Sequence, residues 1–205
     1  MNANSLTLGQ IKELGLPFGG LNLTTEIFTL QTYEHFCQLV ERGLNKAIAE
    51  IERNRREFNS NNENQTTAHI VSMLAMIDLQ ATFDTSTSGH CDIVVRANEY
   101  QWLGEAKKDE RGVSWVRDGF YQLCHRYQSG GPTDRCGGIL IYCHNSNVSD
   151  FMKKWHADVV NTLQIETAPC PYNENAFYTY HDHPHTSMQI TIRHMPVNLN
   201  FDPIK

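Results

Sequence analysis

The chain has 205 residues, of which 40% are hydrophobic and 20% charged, and its formal net charge is −6 at pH 7. This length is sufficient for one domain with a buried core. The acidic balance argues against a broad polycationic surface that coats nucleic acid, although it leaves room for a local basic cleft.

The cysteines and the N-terminus indicate the compartment. The six cysteines show no C-x-x-C spacing and lie mostly in apolar runs, which is typical of buried, unpaired thiols in a reducing environment. The first ten residues contain no basic segment followed by an apolar run, and no stretch approaches the length of a membrane span. We therefore expect a cytoplasmic protein without membrane attachment.

The first 59 residues predict an N-terminal extension with one long helix. Apolar residues recur at intervals of three and four between Thr32 and Phe58. The opposite face mixes acidic and basic residues, which indicates a solvated face and not a nucleic-acid-binding stripe. A polar run over residues 59–65 ends this helix, and Asn62 can cap a second helix over Glu63–Leu79.

The next segment predicts three strands. Ala81–Thr85 forms the first, and Ser86–Gly89 turns the chain into the second. Cys91–Arg96 and Tyr100–Lys107 are strand-forming runs separated by only three residues, which predicts an antiparallel hairpin.

Two acids and a lysine lie on this hairpin. Side chains alternate along a strand, so Glu105 and Lys107 share one face. A register that brings Asp92 opposite Glu105 would place two carboxylates and an ammonium on one patch of the sheet. The alternative is a solvated hairpin in which Glu105 and Lys107 are surface charges.

Such a patch suits phosphodiester hydrolysis. Two close carboxylates repel each other unless one is protonated or a cation lies between them. Mg²⁺ or Mn²⁺ takes oxygen ligands, activates water and offsets negative charge on a phosphate. A neighbouring lysine can orient the attacking water or stabilise the transition state.

The rest of the chain completes an α/β fold with a mixed central β-sheet flanked by helices. Ser114 can cap the next helix, a continuous apolar run then predicts a buried strand, and the last strand would extend the sheet or form a dimer edge. The predicted elements are Trp115–Tyr127, Gly137–Cys143, Ser149–Leu163, Phe177–His181 and Ser187–His194. We divide this single compact domain into an N-terminal extension (1–59), a core (60–163) and a C-terminal β extension (164–205).

The sequence Asp92 followed by Glu105-Ala106-Lys107 resembles the motif of the PD-(D/E)xK nuclease superfamily over about residues 60–145. Cys91 stands where that family often has proline. The resemblance implies a restriction-endonuclease-like core of order αβββαβ. It also implies that Asp92, Glu105 and the Ala106 carbonyl bind Mg²⁺ or Mn²⁺, and that Lys107 is the catalytic lysine.

The resemblance adds two supporting residues. Related nucleases often supply a further acid from the helix before the hairpin, which makes Glu63 a candidate metal ligand or water holder. The alternative is a surface glutamate favoured by the helix dipole. RecB-like exonucleases carry Gln followed by Tyr on the helix after the hairpin. Gln122 matches that Gln, but Tyr127 comes one residue late.

Gln122 would hold a catalytic carboxylate or contact the phosphate backbone. Arg117, His125 and Arg126 on the same helix are candidates for neutralising that backbone. An ordinary polar helix surface is the alternative for all four residues.

A histidine cluster near the C-terminus raises a separate hypothesis. His181, His183 and His185 are spaced by two, so on a strand they would share a face and could bind zinc. Pro184 interrupts a regular strand, so a polar turn or a substrate-contacting loop is the alternative.

Three interpretations follow. The first is a divalent-metal-dependent nuclease that acts on nucleic acid, with DNA favoured over RNA, either alone, as a homo-oligomer or with a partner subunit. The second is a catalytically inactive nuclease-like domain that serves for binding or assembly. The third is an unrelated α/β protein with an ordinary hairpin. Metal-dependent cleavage of nucleic acid would distinguish the first interpretation from the second. Convergence of the Asp92 and Glu105 carboxylates in space would distinguish both of them from the third.

Overall fold

The computed structural model describes residues 10, 26–85, 91–144 and 147–202. The turn predicted over Ser86–Gly89 lies outside these residues. The main helices and strands are α1 (Tyr33–Arg53), α2 (Arg55–Phe58), α3 (Glu63–Ala75), β1 (Gln80–Thr85), β2 (Cys91–Ala97), β3 (Tyr100–Lys108), α4 (Val113–Gln122), β4 (Cys136–Cys143), α5 (Val148–Asp158), β5 (Glu166–Pro169), β6 (Phe177–Asp182) and β7 (Gln189–Asn198).

The described strands form one seven-stranded mixed sheet in the order β1-β2-β3-β4-β7-β6-β5. β2 is antiparallel to both of its neighbours, β1 and β3. β4 is parallel to both β3 and β7, and β6 is antiparallel to both β7 and β5. The predicted α/β class with a mixed central sheet is therefore confirmed. β7 lies inside the sheet, so it is not a dimer edge. The boundaries proposed at residues 59 and 163 remain predictions.

Helices cover both faces of the sheet, and each face has its own apolar core. Along β3, Trp102 and Ala106 pack on the side of α1 and α3, while Leu103 packs on the side of α4 and α5. This alternation follows from the two-residue period of a strand. The side chains of β3 therefore divide between two different environments.

Several local predictions are confirmed and others are wrong in detail. Asn62 caps α3 in a reciprocal capping box, in which Asn62 and Gln65 exchange side-chain-to-backbone hydrogen bonds of 2.9 Å. The long N-terminal helix is interrupted at Asn54, and α3 ends at Ala75 instead of Leu79. α4 begins directly after Gly112, so Ser114 is not its cap.

One strand was missed. β5 has only four residues, ends at Pro169 and forms the edge of the sheet, where a proline needs no ladder partner for its nitrogen. So short a run carries little periodic signal, which explains why the sequence did not predict it.

The cysteines agree with the expectation of buried, unpaired thiols. All six cysteines lie in the described residues as unpaired thiols, and all but the half-buried Cys136 are buried. None of the helices in the described ranges combines the length and the apolar character needed to cross a bilayer.

Candidate functional site

The predicted β2–β3 hairpin forms, and its register determines where the acids lie. The turn at Asn98 and Glu99 places Asn98 in the left-handed region with φ 53°, a conformation that asparagine tolerates better than most residues. The strands are antiparallel, and Ile93 pairs with Gly104. One step further in the same register sets Asp92 beside Glu105.

Two acids from different elements are held by the backbone of β3. Asp92 Oδ2 accepts a hydrogen bond of 2.8 Å from the Ala106 amide. Glu63 Oε2, from the first turn of α3, accepts one of 3.0 Å from the Lys108 amide. Charged acceptors make these strong hydrogen bonds. Both carboxylates are therefore anchored at the C-terminal end of β3.

Glu105 and Lys107 form a buried ion pair beside these anchors. Lys107 Nζ donates to Glu105 Oε1 at 2.5 Å, and the two side chains are 7% and 3% exposed, respectively. The other carboxylate oxygen, Glu105 Oε2, is buried and accepts no hydrogen bond from any described residue. A buried oxygen without a donor is costly, so it marks a position where a further positive group would be stabilising.

The four charged side chains interact with one another. Burial, together with the nearby charge of Asp92, raises the pKa of Glu105 to about 7 against the opposing effect of Lys107. Burial also raises the pKa of Glu63, while Lys107 lowers it and Asp92 raises it. Burial alone would lower the pKa of Lys107, but Glu105, Asp92 and Glu63 raise it on balance. The cluster therefore has three carboxyl groups around one ammonium.

Helix α4 forms a wall of the site because Gly119 lets it approach β3 closely. A Cβ atom on Gly119 would lie 2.7 Å from Lys107 Cε and 3.3 Å from Glu105 Cγ. One turn earlier, the Trp115 ring lies 5.2 Å from Lys107 Nζ and 4.5 Å from the guanidinium carbon of Arg111. Such cation–π contacts favour a fixed position of the ammonium.

These wall residues were not found from the sequence. A glycine inside a helical pattern usually has a packing reason, so Gly119 carried a usable signal. Trp115 and Arg111 carried none, because their role depends on where α4 lies relative to Lys107.

The remaining predicted residues, Gln122 and Ala106, differ in their relation to the cluster. Gln122 is half-buried at the end of α4, and helical spacing places it on the same side as Gly119. Within the described part of the chain, no hydrogen bond joins Gln122 to Glu105 or Lys107. The Ala106 amide holds Asp92, and the Ala106 side chain is buried on the opposite face.

The basic candidates on this helix differ in their pairing. Two hydrogen bonds of 2.9 Å join Arg117 to Asp158, so this arginine already has a carboxylate partner. His125 and Arg126 are exposed in the π-helical turn that follows α4.

Among residues 10, 26–85, 91–144 and 147–202, no group of three or more His, Cys, Asp and Glu side chains is arranged to hold a metal ion. This includes His181 at the end of β6 and the following His183 and His185, whose rings lie 5.7 Å apart.

The donor chemistry of the hairpin cluster nevertheless fits Mg²⁺ or Mn²⁺. Glu63, Asp92 and Glu105 offer carboxylate oxygens, which are the ligands that hard cations prefer. Glu105 Oε2, which has no hydrogen-bond partner among the described residues, is the oxygen that a cation would satisfy. The three carboxyl groups also outnumber the single ammonium of Lys107.

Comparison with known proteins gives no significant match to a family model, a curated protein or a solved structure. Inference about function therefore depends on the geometry of the cluster.

Proposed function

We propose that the chain is a divalent-metal-dependent nuclease that hydrolyses phosphodiester bonds of nucleic acid, with DNA favoured over RNA. The observation that carries the proposal is the meeting of Glu63, Asp92 and Glu105 around Lys107 at one end of β3. Buried carboxyl groups that repel one another are costly in a purely structural role, whereas a cation site requires them.

The order of elements supports a nuclease-like core. The chain runs α3-β1-β2-β3-α4-β4, which is the αβββαβ order of the restriction-endonuclease-like fold. Asp92 lies on β2, Glu105 and Lys107 lie on β3, and Glu63 lies on the preceding helix, as the resemblance to the PD-(D/E)xK superfamily implies. We therefore propose membership of that superfamily.

Each residue has a defined role in this proposal. Asp92, Glu105, the Ala106 carbonyl and Glu63 would hold Mg²⁺ or Mn²⁺, which when bound activates water and offsets charge on the scissile phosphate. Lys107 orients the attacking water and stabilises negative charge on the phosphate in the transition state.

Other residues fix these groups in place. The Ala106 and Lys108 amides hold the Asp92 and Glu63 carboxylates, and Gly119 and Trp115 confine the Lys107 side chain. Gln122 would contact the phosphate backbone or a carboxylate from the same side. The enzyme would act alone, as a homo-oligomer or with a partner subunit.

A catalytically inactive nuclease-like module for binding or assembly is the second candidate. The ion pair between Glu105 and Lys107 favours this candidate. Lys107 Nζ already pairs with one of the two Glu105 carboxylate oxygens, so only the other oxygen could face a cation. Cleavage assays separate the two candidates directly.

The decisive experiment incubates the purified protein with plasmid, linear duplex DNA, single-stranded DNA and RNA, each with Mg²⁺, Mn²⁺ or a chelator. We expect metal-dependent cleavage by the wild type. Lys107→Ala and Asp92→Ala should each reduce the initial rate by about 10²- to 10³-fold, because each removes charge stabilisation from the transition state.

Lys154→Ala is the matched control, since it removes the same charge from the exposed face of α5. It should cleave at the wild-type rate. Equal activity in the wild type, Lys107→Ala and Asp92→Ala would exclude the proposed site, and absence of cleavage under all conditions would favour the inactive module.

A further inference from the structure

A pocket lies on the face of the sheet opposite α4. It has a volume of about 350 Å³ and is enclosed by α1, β7 and the loop between β5 and β6. Arg193 of β7 forms part of its wall and is 2% exposed. A nearly fully buried arginine is uncommon unless its charge and its donors are satisfied.

The described residues do not satisfy Arg193. Its Nη2 donates to Asn45 Oδ1 at 2.8 Å, whereas Nε and Nη1 are buried and donate no hydrogen bond to any described residue. A guanidinium carries five N–H donors and does not lose its charge. Several N–H donors of Arg193 therefore have no acceptor oxygen among the described residues.

The nearest acid only partly compensates the guanidinium. Glu41 Oε2 lies 3.9 Å from Arg193 Nη1, beyond hydrogen-bond distance. The same oxygen accepts a hydrogen bond of 2.6 Å from the Tyr178 hydroxyl. Glu41 thus supplies negative charge at a distance, and the buried Nε and Nη1 of Arg193 have no hydrogen-bond acceptor among the described residues.

The remaining residues that line the pocket are largely aromatic or apolar, and they indicate the shape and polarity of the part of a ligand that would not contact Arg193. Tyr172 lies at the pocket and is 66% exposed, and the Arg193 guanidinium carbon lies 5.8 Å from its ring centre. Ile48, Met195 and Pro196 add apolar surface. A flat apolar group could pack there while an acidic group reaches Arg193.

The charge around the pocket favours a monoanion. Glu52 also lines the pocket, and its Oε1 accepts a hydrogen bond from the Asn198 amide at 2.9 Å. With Glu41 and Glu52 nearby, a dianionic phosphate would be repelled more strongly than a carboxylate of single charge. Arginine pairs well with the planar carboxylate.

We propose that this pocket binds a small organic monocarboxylate with a flat apolar body, whose carboxylate pairs with Arg193 and whose body packs against Tyr172. The site is separate from the hairpin cluster and does not rest on the proposed nuclease activity.

Benzoate, benzamide and inorganic phosphate are suitable probes, titrated against the full-length protein by calorimetry. Benzoate should bind saturably, and benzamide, which has the same shape without the charge, should bind about tenfold more weakly or worse. Tyr172→Ala should weaken benzoate binding about tenfold. Tyr121→Ala, the same change at another exposed tyrosine, should leave binding unchanged.

Arg193→Lys should abolish binding, because lysine lacks the planar fork, and circular dichroism would verify that this variant folds. Tyr172→Ala keeps the test valid if the Arg193 variant does not fold, since Tyr172 is exposed. Three results would overturn the proposal: no saturable binding of benzoate, equal binding of benzoate and benzamide, or tighter binding of phosphate than of benzoate.

Discussion

Two buried cations, Lys107 and Arg193, lie on opposite faces of the same sheet, and their charges are balanced differently. Lys107 contacts Glu105 at 2.5 Å and interacts with two further carboxyl groups. Among the described residues, Arg193 has one carboxylate at 3.9 Å and one hydrogen bond, to Asn45. The first region has an excess of acceptors, and the second has an excess of donors.

This difference shows that the sign of the uncompensated charge at a buried site indicates whether its ligand is a cation or an anion. Where carboxyl groups outnumber the ammonium, an added cation removes repulsion and satisfies Glu105 Oε2. Where guanidinium donors outnumber their acceptors, an added anion supplies the missing oxygens. Burial strengthens both effects because water cannot compensate either imbalance.

The prediction with the largest expected effect concerns Glu105, one of the three carboxyl groups that outnumber the Lys107 ammonium. Its folded pKa is about 7 instead of 4.5, so stability is lost as the pH rises between these values and the buried carboxyl group ionises. With a chelator present, Glu105→Gln should gain about 3 kcal/mol in unfolding free energy over the wild type between pH 4 and pH 8. Asp92 and Glu63 still balance Lys107 in this variant. Urea unfolding at a series of pH values measures the gain.

Glu166→Gln is the control, because Glu166 is exposed on the edge strand β5. The difference between this variant and the wild type should not change over the same pH range. A gain for Glu105→Gln that is equal at pH 4 and pH 8 would contradict the acceptor excess.

The second prediction concerns the position of Lys107. Gly119→Ala would place a Cβ atom 2.7 Å from Lys107 Cε, so the lysine must move away from its present position. A displacement near 1 Å in a catalytic group can cost about 10²-fold in rate. We expect a loss of that size in the initial cleavage rate of the substrate that the wild type cuts.

Gly43→Ala on α1 is the matched control, since its Cβ would meet the side-chain ends of Ile77 and Leu74 at 3.0 Å, away from the site. Its packing cost should be similar and its cleavage rate unchanged. A wild-type rate for Gly119→Ala would show that the exact position of Lys107 is unimportant.

The prediction with the smallest expected effect concerns the affinity of the Arg193 pocket for a carboxylate. Glu41→Gln removes the negative charge that competes with a bound carboxylate, while the amide oxygen can still accept from Tyr178. Benzoate affinity should therefore rise about threefold to tenfold. The calorimetric titration described for the pocket measures this change, with Glu34→Gln, at an exposed residue that pairs with Arg135, as the control. Weaker binding to Glu41→Gln would mean that Glu41 helps to hold the ligand.

The sequence predicted the local parts of the candidate site well. The capping box at Asn62 and Gln65 spans three residues, and the hairpin depends on one short turn, so nearby residues are sufficient to specify them. Strand alternation likewise placed Glu105 and Lys107 on one face. The same local reasoning failed for β5, which is too short to show a period.

Contacts between distant segments decided the rest. Glu63 reaches an amide 45 residues further along the chain, and Arg193 meets Asn45 across 148 residues. The sequence by itself determined the helices, most of the strands and the charged face of the hairpin, because these depend on residue order over a few positions. Only the tertiary structure decided that Gly119 brings α4 against Lys107 and that Arg193 Nε and Nη1 find no acceptor in the part of the chain that the structure describes. Those properties depend on which surfaces pack together, and a periodic pattern specifies which faces are apolar but not their partners.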